Sequence, residues 1–258
     1  MAEIHEKAAL LRALHVPGEP VVLPNAWDAA SACAVEAAGF PAVATGSQSV
    51  AASLGYQDGQ DTPVDEMMAA VARMTRVVAV PVTADVERGY GLKPAELVER
   101  LAAAGAAGCN LEDSDPATGE LVDPGEQADF LAAVRAAAAE AGTGLVINAR
   151  VDTFIHGSGT PAERLAEAIE RSRRYLAAGA DCVYPILAGD PEAIGALVRE
   201  TGGPVNVLAR PGAPAVRDLA ALGVARVSFG PGVHRITQAF TARVLDAIAR
   251  GDDPFETA

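Results

Sequence analysis

The sequence predicts an α/β protein of the (β/α)8 TIM barrel class, and three observations carry that prediction. Short runs rich in Val and Ile alternate strictly with Ala-rich amphipathic segments, the pattern of parallel strands joined by helices. Eight such units fit into 258 residues, the usual size of this barrel. Half of the residues are apolar but only 4% are aromatic, so the interior is built from Ala, Val and Leu, with helices packed closely over small side chains. An open doubly wound sheet shares the alternation, but no strand here is followed by G-x-G-x-x-G, which favours the barrel.

In chain order, a charged helical stretch over 1–15 precedes the first strand as an extra N-terminal helix. Strands are expected at 21–25, 41–45, 78–85, 108–112, 145–151, 181–186, 204–209 and 225–229. Helical segments centre on 28–38, 65–76, 94–104, 124–141, 161–178, 191–200, 213–222 and 234–250. Pro94, Pro124, Pro161 and Pro191 stand where a first-turn proline is tolerated, and Gly39, Gly105, Gly142, Gly179 and Gly223 follow helix ends. Residues 251–258 form a polar tail, and no linker or low-complexity stretch divides 1–258, which reads as one barrel domain.

Twenty basic against thirty-four acidic residues leave a net charge of −14, which argues against nucleic acid and anionic membrane surfaces as partners. The run 37–57 carries no charge, yet its Gly and Pro residues argue against a membrane span. The N-terminus lacks a secretory pattern, so a cytoplasmic protein is expected. Cys33, Cys109 and Cys182 share no metal spacing and read as small buried hydrophobes.

A barrel of this class builds its active site at the C-terminal strand ends. Strand alternation puts Thr83 with Asp85, Asn110 with Glu112, and Asn148 with Arg150 on the axis-facing side, and turns Cys109 toward the helices. Asp85, Glu112 and Arg150 can therefore converge at one mouth. Carboxylates crowded there need a cation, and an oxygen-only set suits Mg²⁺ or Mn²⁺. Arg150 offers a fork to a substrate carboxylate, so the expected substrate is small, anionic and chelating. Asp113 and Asp115 read as solvated loop or capping residues, and Trp27 and Tyr184 as packing residues.

The segments Pro24-Asn25-Ala26-Trp27-Asp28-Ala29, Thr45-Gly46-Ser47, Asp85-Val86-Glu87-Arg88-Gly89-Tyr90-Gly91, Asn110-Leu111-Glu112-Asp113 and Ala149-Arg150-Val151-Asp152 together resemble the isocitrate lyase and phosphoenolpyruvate mutase superfamily over nearly the whole chain. The resemblance implies a barrel whose Mg²⁺ presents a 2-oxo acid or enolpyruvate-type carboxylate. It makes Asp85 the principal metal ligand, with Glu87, Glu112 and Asp58 acting directly or through water. It assigns Thr45, Gly46, Ser47 and Arg150 to the substrate carboxylate. It also implies a homo-oligomer, a dimer or tetramer, that exchanges the C-terminal helix.

The chain departs from that pattern in one loop. Lyases of the superfamily carry Lys-x-Cys-Gly-His there and the phosphonomutases Lys, Asn and Ser, whereas residues 114–125 contain no Cys, His or Lys. Tyr90, His156 and His234 lie after strands three, five and eight and are the alternative proton-transfer groups, with Tyr90 and Arg150 taken as catalytic. Gly230-Pro231-Gly232 reads either as an anion-binding turn or as a plain strand-to-helix turn. The expected activity is carbon–carbon bond cleavage or formation through a metal-stabilised enolate, as a lyase or decarboxylase. P–C bond chemistry, by a phosphonomutase or phosphonopyruvate hydrolase, and a catalytically inactive 2-oxo acid-binding barrel are the alternatives.

Overall fold

A computed structural model describes residues 2–257. Helix α1 (Ala2–Ala13) leads into β1 (Val21–Leu23) and β2 (Asn25–Ala26). There follow α2 (Ala29–Ala37), β3 (Val43–Thr45), α3 (Ser47–Leu54), α4 (Val64–Thr75), β4 (Val82–Asp85), α5 (Pro94–Ala103) and β5 (Gly108–Glu112). The second half holds α6 (Pro124–Glu140), β6 (Val146–Val151), α7 (Thr153–His156), α8 (Pro161–Ala177), β7 (Cys182–Pro185), α9 (Pro191–Thr201), β8 (Asn206–Leu208), α10 (Val216–Ala221), β9 (Arg226–Ser228) and α11 (Gly232–Arg250).

All ladders are parallel. Strands β2 to β7 pair in chain order, and β1 pairs with β9, which pairs with β8. The first expected strand is thus one passage of chain split at Pro24, its two halves serving opposite neighbours. Between β7 and β8 the ring is joined by a single bridge, Val183 to Val205, with Val183 N–H donating to the Pro204 carbonyl at 3.0 Å. The result is a closed, TIM-like parallel barrel. Three expectations are adjusted. The strand expected at 78–85 is ordered as strand only over Val82–Asp85, the uncharged run 37–57 folds mostly as β3 and the unanticipated helix α3, and α7 is a further short helix.

Local chemistry explains the helix ends. Pro94, Pro124, Pro161 and Pro191 all occupy first helical turns. Thr160 and Glu163 close a capping box on α8, and Asp190 caps α9 by accepting from Ala193 N–H. Behind the sheet, Cys109, Leu111, Ile147 and Ala149 pack against Leu97, Leu101, Leu131 and Val134 of the surrounding helices. Cys109 therefore points to the helix layer, and burial pushes its thiol up to about 12. Cys182 is buried too, but Cys33 is exposed, which corrects the reading of all three cysteines as buried. Among the described residues no helix is long and apolar enough to cross a membrane.

Helix α1 covers the N-terminal end of the barrel, where Ala8 and Leu11 join Val21, Leu23, Ala44, Ala107 and Val146 in one apolar cluster. Arg12 secures it through an ion pair to Asp181 at 2.7 Å. Helix α11 contrasts with it, since only Ala247 is buried along its length while Ile236, Leu245 and Ile248 are more than half exposed.

Closure beneath α1 needs Gly108. A Cβ there would lie 2.9 Å from both Leu11 Cδ2 and the Val146 carbonyl oxygen. Gly108→Ala is expected to cost about 1–3 kcal/mol by overpacking, read as a lowered midpoint in urea unfolding.

Candidate active site

The polar, axis-facing residues of successive strands lie side by side. Ladder register sets Asp85 against Asn110, Asn110 against Asn148, Glu112 against Arg150, and Arg150 against Tyr184. At this C-terminal mouth opens a cavity of about 810 Å³, lined among others by Gly46, Ser47, Asp58, Asp85, Asn110, Arg150 and Tyr184.

Asp85 is held by the turn after β3. Ser47 donates to its Oδ2 from the backbone N–H at 3.1 Å and from Oγ at 3.0 Å, while Asp85 N–H donates to Thr45 Oγ1 at 2.8 Å. Its Oδ1 is buried and has no protein partner among the described residues. A carboxylate oxygen in that condition is unusual unless a ligand completes it. Asp58 lies at the cavity wall; desolvation first and the Asp85 charge second raise its carboxyl.

Glu87 and Glu112 stand behind the wall. Glu87 is buried with a left-handed backbone, φ 51°, a conformation rare for a non-glycine residue and frequent at functional sites. Tyr90 donates its hydroxyl to Glu87 Oε1 at 2.9 Å. Burial and then the charge of Asp85 push Glu87 up to about 7. Glu112 meets Arg150 Nη1 at 2.5 Å, and its carboxyl is lifted by burial against the pull of that guanidinium. Arg150 also forks onto Asp152, Nε to Oδ1 at 2.6 Å and Nη2 to Oδ2 at 2.9 Å. Burial opposes its charge, but Asp152 and Glu112 outweigh that and keep it protonated.

Several residues sit elsewhere than the sequence suggests. Thr45 is fully buried one layer beneath the cavity, where its hydroxyl positions Asp85, and Gly46 N–H is spent on the Ala26 carbonyl. Tyr90 does not line the cavity, and burial followed by the charge of Glu87 raises its phenol, so it keeps its proton. His156 is exposed, and His234 packs edge-on against Trp27 with ring centroids 4.8 Å apart. Gly230-Pro231-Gly232 forms the turn into α11. Asp113 corrects its reading as a solvated or capping residue: it is fully buried, pairs with Arg171 at 3.2 Å, accepts from Tyr175 at 2.7 Å and takes the Asp152 N–H at 2.8 Å. Asp115 is a local cap, accepting from Ala117 N–H.

Sequence reasoning treated Tyr184 as packing, yet it shares the axis face with Arg150 and lines the cavity, and burial brings its phenol up to about 12. The period-two phase of β7 carried that signal. Asn25, whose Nδ2 donates to the Thr45 carbonyl and whose Oδ1 accepts from Phe229 N–H, ties the β3 turn to the end of β9. Nothing in local spacing marks that role. Beneath the site, buried Arg226 donates to Asn110 Oδ1 at 3.2 Å and sets a cation under the carboxylates.

A sequence model of the phosphoenolpyruvate phosphomutase family matches residues 11–249. The chain belongs to that family. Its relatives include an uncharacterised protein of Mycobacterium tuberculosis, 36% identical over 242 residues that cover 93% of this chain and 88% of the relative. An oxaloacetate decarboxylase of Rhodopseudomonas palustris is 34% identical over 69% of this chain and 62% of its own. A solved structure from Burkholderia cenocepacia J2315, provisionally named a phosphonomutase, superposes with a TM-score of 0.87 at 42% identity, covering 96% of this chain and 99% of that one. Named relatives of the family act as lyases, mutases and decarboxylases on 2-oxo acid or phosphoenolpyruvate-type substrates.

Among the described residues no three His, Cys, Asp or Glu side chains converge as a ready-made metal cage. The donor set nevertheless fits Mg²⁺, which keeps several waters and asks for one or two carboxylates. The orphaned Asp85 Oδ1 supplies one of these, and the carboxyls of Asp58, Glu87 and Glu112 are raised by burial and, further, by the charge of Asp85.

The raised Glu87 group sets a pH dependence. Its folded value near 7 exceeds its ordinary 4.5, so its contribution to stability is present at low pH and is lost as pH rises through about 7. The thermal midpoint of chelator-treated protein is expected to fall between about pH 5 and about pH 8, and Glu87→Gln to flatten that fall.

Proposed function

We propose that the protein is a Mg²⁺- or Mn²⁺-dependent enzyme that cleaves or forms a carbon–carbon bond beside a 2-oxo acid through an enolate, with decarboxylation as the favoured reaction. One observation carries the reading: an unpartnered carboxylate oxygen of Asp85 shares a cavity wall with the Arg150 guanidinium.

Asp85 would hold the cation directly, with Asp58 beside it and Glu87 and Glu112 behind to order its water. When bound, the cation supplies Lewis-acid stabilisation of negative charge on the 2-oxo oxygen. Arg150, locked by Asp152 and Glu112, binds the C1 carboxylate and orients the substrate. Ser47 keeps Asp85 aimed at the cavity, so its charge is in place before substrate arrives.

Decarboxylation is favoured because of what lines the cavity. The titratable side chains there are Asp58, Asp85, Arg150, Tyr184, Arg210 and Arg235, with no His, Cys or Lys. Retro-aldol cleavage of a hydroxy acid needs a base to take the hydroxyl proton, whereas loss of CO₂ beside a 2-oxo group needs only an electron sink. None of residues 113–122 lines the cavity, so their carboxylates do not supply that base. These residues close on themselves through the Ser114–Leu121 bridge and the bonds of Asp115 N–H to the Glu120 carbonyl and Val122 N–H to the Asp113 carbonyl. The Tyr184 hydroxyl, which lines the cavity, would return a proton to C3.

The exposed apolar residues Leu245 and Ile248 support a homo-oligomer formed through α11. Replacing both with Arg is expected to shift the mass measured by light scattering down to that of one chain, with the fold retained.

The reaction is tested by calorimetry and product detection together. Oxalate, an enolate mimic, is expected to bind only with Mg²⁺ present, and Asp85→Ala to weaken it more than ~100-fold. Oxaloacetate is expected to yield pyruvate faster with enzyme than with Mg²⁺ alone. Absence of metal-dependent oxalate binding overturns the site; oxalate binding without turnover of oxaloacetate favours the binding-protein alternative.

A further inference from the structure

The cavity is several times larger than a three- or four-carbon oxo acid, and its 810 Å³ lies in the range of about 300–1,000 Å³ that accepts drug-sized ligands. Asp85 and Arg150 occupy one end. The remainder is apolar, with two guanidinium groups that the chemistry above does not use.

Part of the apolar lining is open to solvent. Ile155, Leu187 and Ile236 are 41%, 38% and 72% exposed, and all three line this one cavity. They come from α7, the loop after β7 and the first turn of α11, so three separate segments turn large aliphatic side chains toward one space. Leu187 does so from a left-handed backbone, φ 66°, a conformation that is strained for a bulky residue.

The two cations stand among these side chains. Arg235 donates from Nη2 to Gln48 Oε1 at 3.1 Å, and Gln48 follows Ser47, the residue that holds Asp85. Arg235 is thereby tied to the metal end of the cavity through one turn of α3. Arg210 follows β8, and its side chain has no hydrogen-bond or ion-pair partner among the described residues. Its Nη2 lies only 2.8 Å from where a Cβ on Gly189 would stand, so the glycine leaves room for the guanidinium. Among the described residues neither cation has a carboxylate partner, in a chain with 34 acidic residues.

We propose that the substrate is a 2-oxo acid whose C3 carries an aliphatic arm ending in an anionic group, the arm lying on Leu187 and Ile236 and the terminal anion bound by Arg210 and Arg235. The inference rests on the assignment of Asp85 and Arg150 to the oxo-acid end. An apolar arm between two anionic ends explains why large aliphatic residues and guanidinium groups without a carboxylate partner among the described residues share one cavity, because the arm removes the exposed apolar surface from water and the guanidinium groups take the terminal charge.

Calorimetry with saturating Mg²⁺ tests it on the full-length protein. The probes are oxalate and three pairs matched in length: 2-oxoglutarate with 2-oxopentanoate, 2-oxoadipate with 2-oxohexanoate, and 2-oxopimelate with 2-oxoheptanoate. In at least one pair the diacid is expected to bind about tenfold tighter or more. The double variant Arg210→Gln with Arg235→Gln is expected to abolish that preference while oxalate affinity stays within about twofold. Oxalate binding with no diacid preference in any pair, or a preference that survives the double variant, overturns the distal site and leaves the proposed reaction standing. Loss of metal-dependent oxalate binding in the unsubstituted protein overturns both.

Discussion

The fork of Arg150 onto Asp152 is the contact on which the rest of the site depends. It aims a guanidinium at the cavity, and through Nη1 it also holds Glu112 at the end of the neighbouring strand. Asp152 in turn accepts from Ser114 Oγ at 2.5 Å and gives its backbone N–H to Asp113, which is anchored by Arg171 and Tyr175 of α8. One network therefore joins the ends of β5 and β6, the loop after β5 and a surrounding helix. Buried charges of this kind contribute little net stability, and removing one partner leaves the other uncompensated. Their effect is to hold the cation in one orientation.

A second constraint acts against the first. Burial raises the carboxyl groups of Asp58, Glu87 and Glu112, and the charge of Asp85 is close enough to raise all three further. Arg226 from below and Arg150 from beside offset part of that repulsion. What is not offset shows in the raised carboxyl groups, beside an Asp85 oxygen that has no partner among the described residues. In the proposed enzyme a divalent cation held by Asp85 would offset the repulsion among these carboxylates.

Much of this was legible because strand phase is a strict two-residue repeat. Asp85, Glu112 and Arg150 face the axis and Cys109 faces the helices, as alternation alone requires. The misplacements have a common origin. Asp113 looked like a loop charge because its partners, Arg171 and Tyr175, come from a helix some 60 residues away in sequence. Cys33 looked like a core residue because composition says nothing about which side of a helix it takes. Tyr184 was legible from the phase of β7, but aromatic residues are so often core that its polar end went unweighted.

Sequence by itself determined the alternation of strands and helices, the prolines and glycines that bound several helices, the axis-facing acids and the family, since each follows from short-range periodicity or contiguous motifs. Only the tertiary structure decided which of those acids reaches the cavity, that Thr45 supports Asp85 from beneath, and that Arg210, Arg235, Leu187 and Ile236 share a wall with Asp85 and Arg150. The physical reason is that a barrel brings its strand ends together by closure. Gln48 and Arg235, 187 residues apart in sequence, become neighbours only when β9 pairs with β1, and no local pattern records that contact.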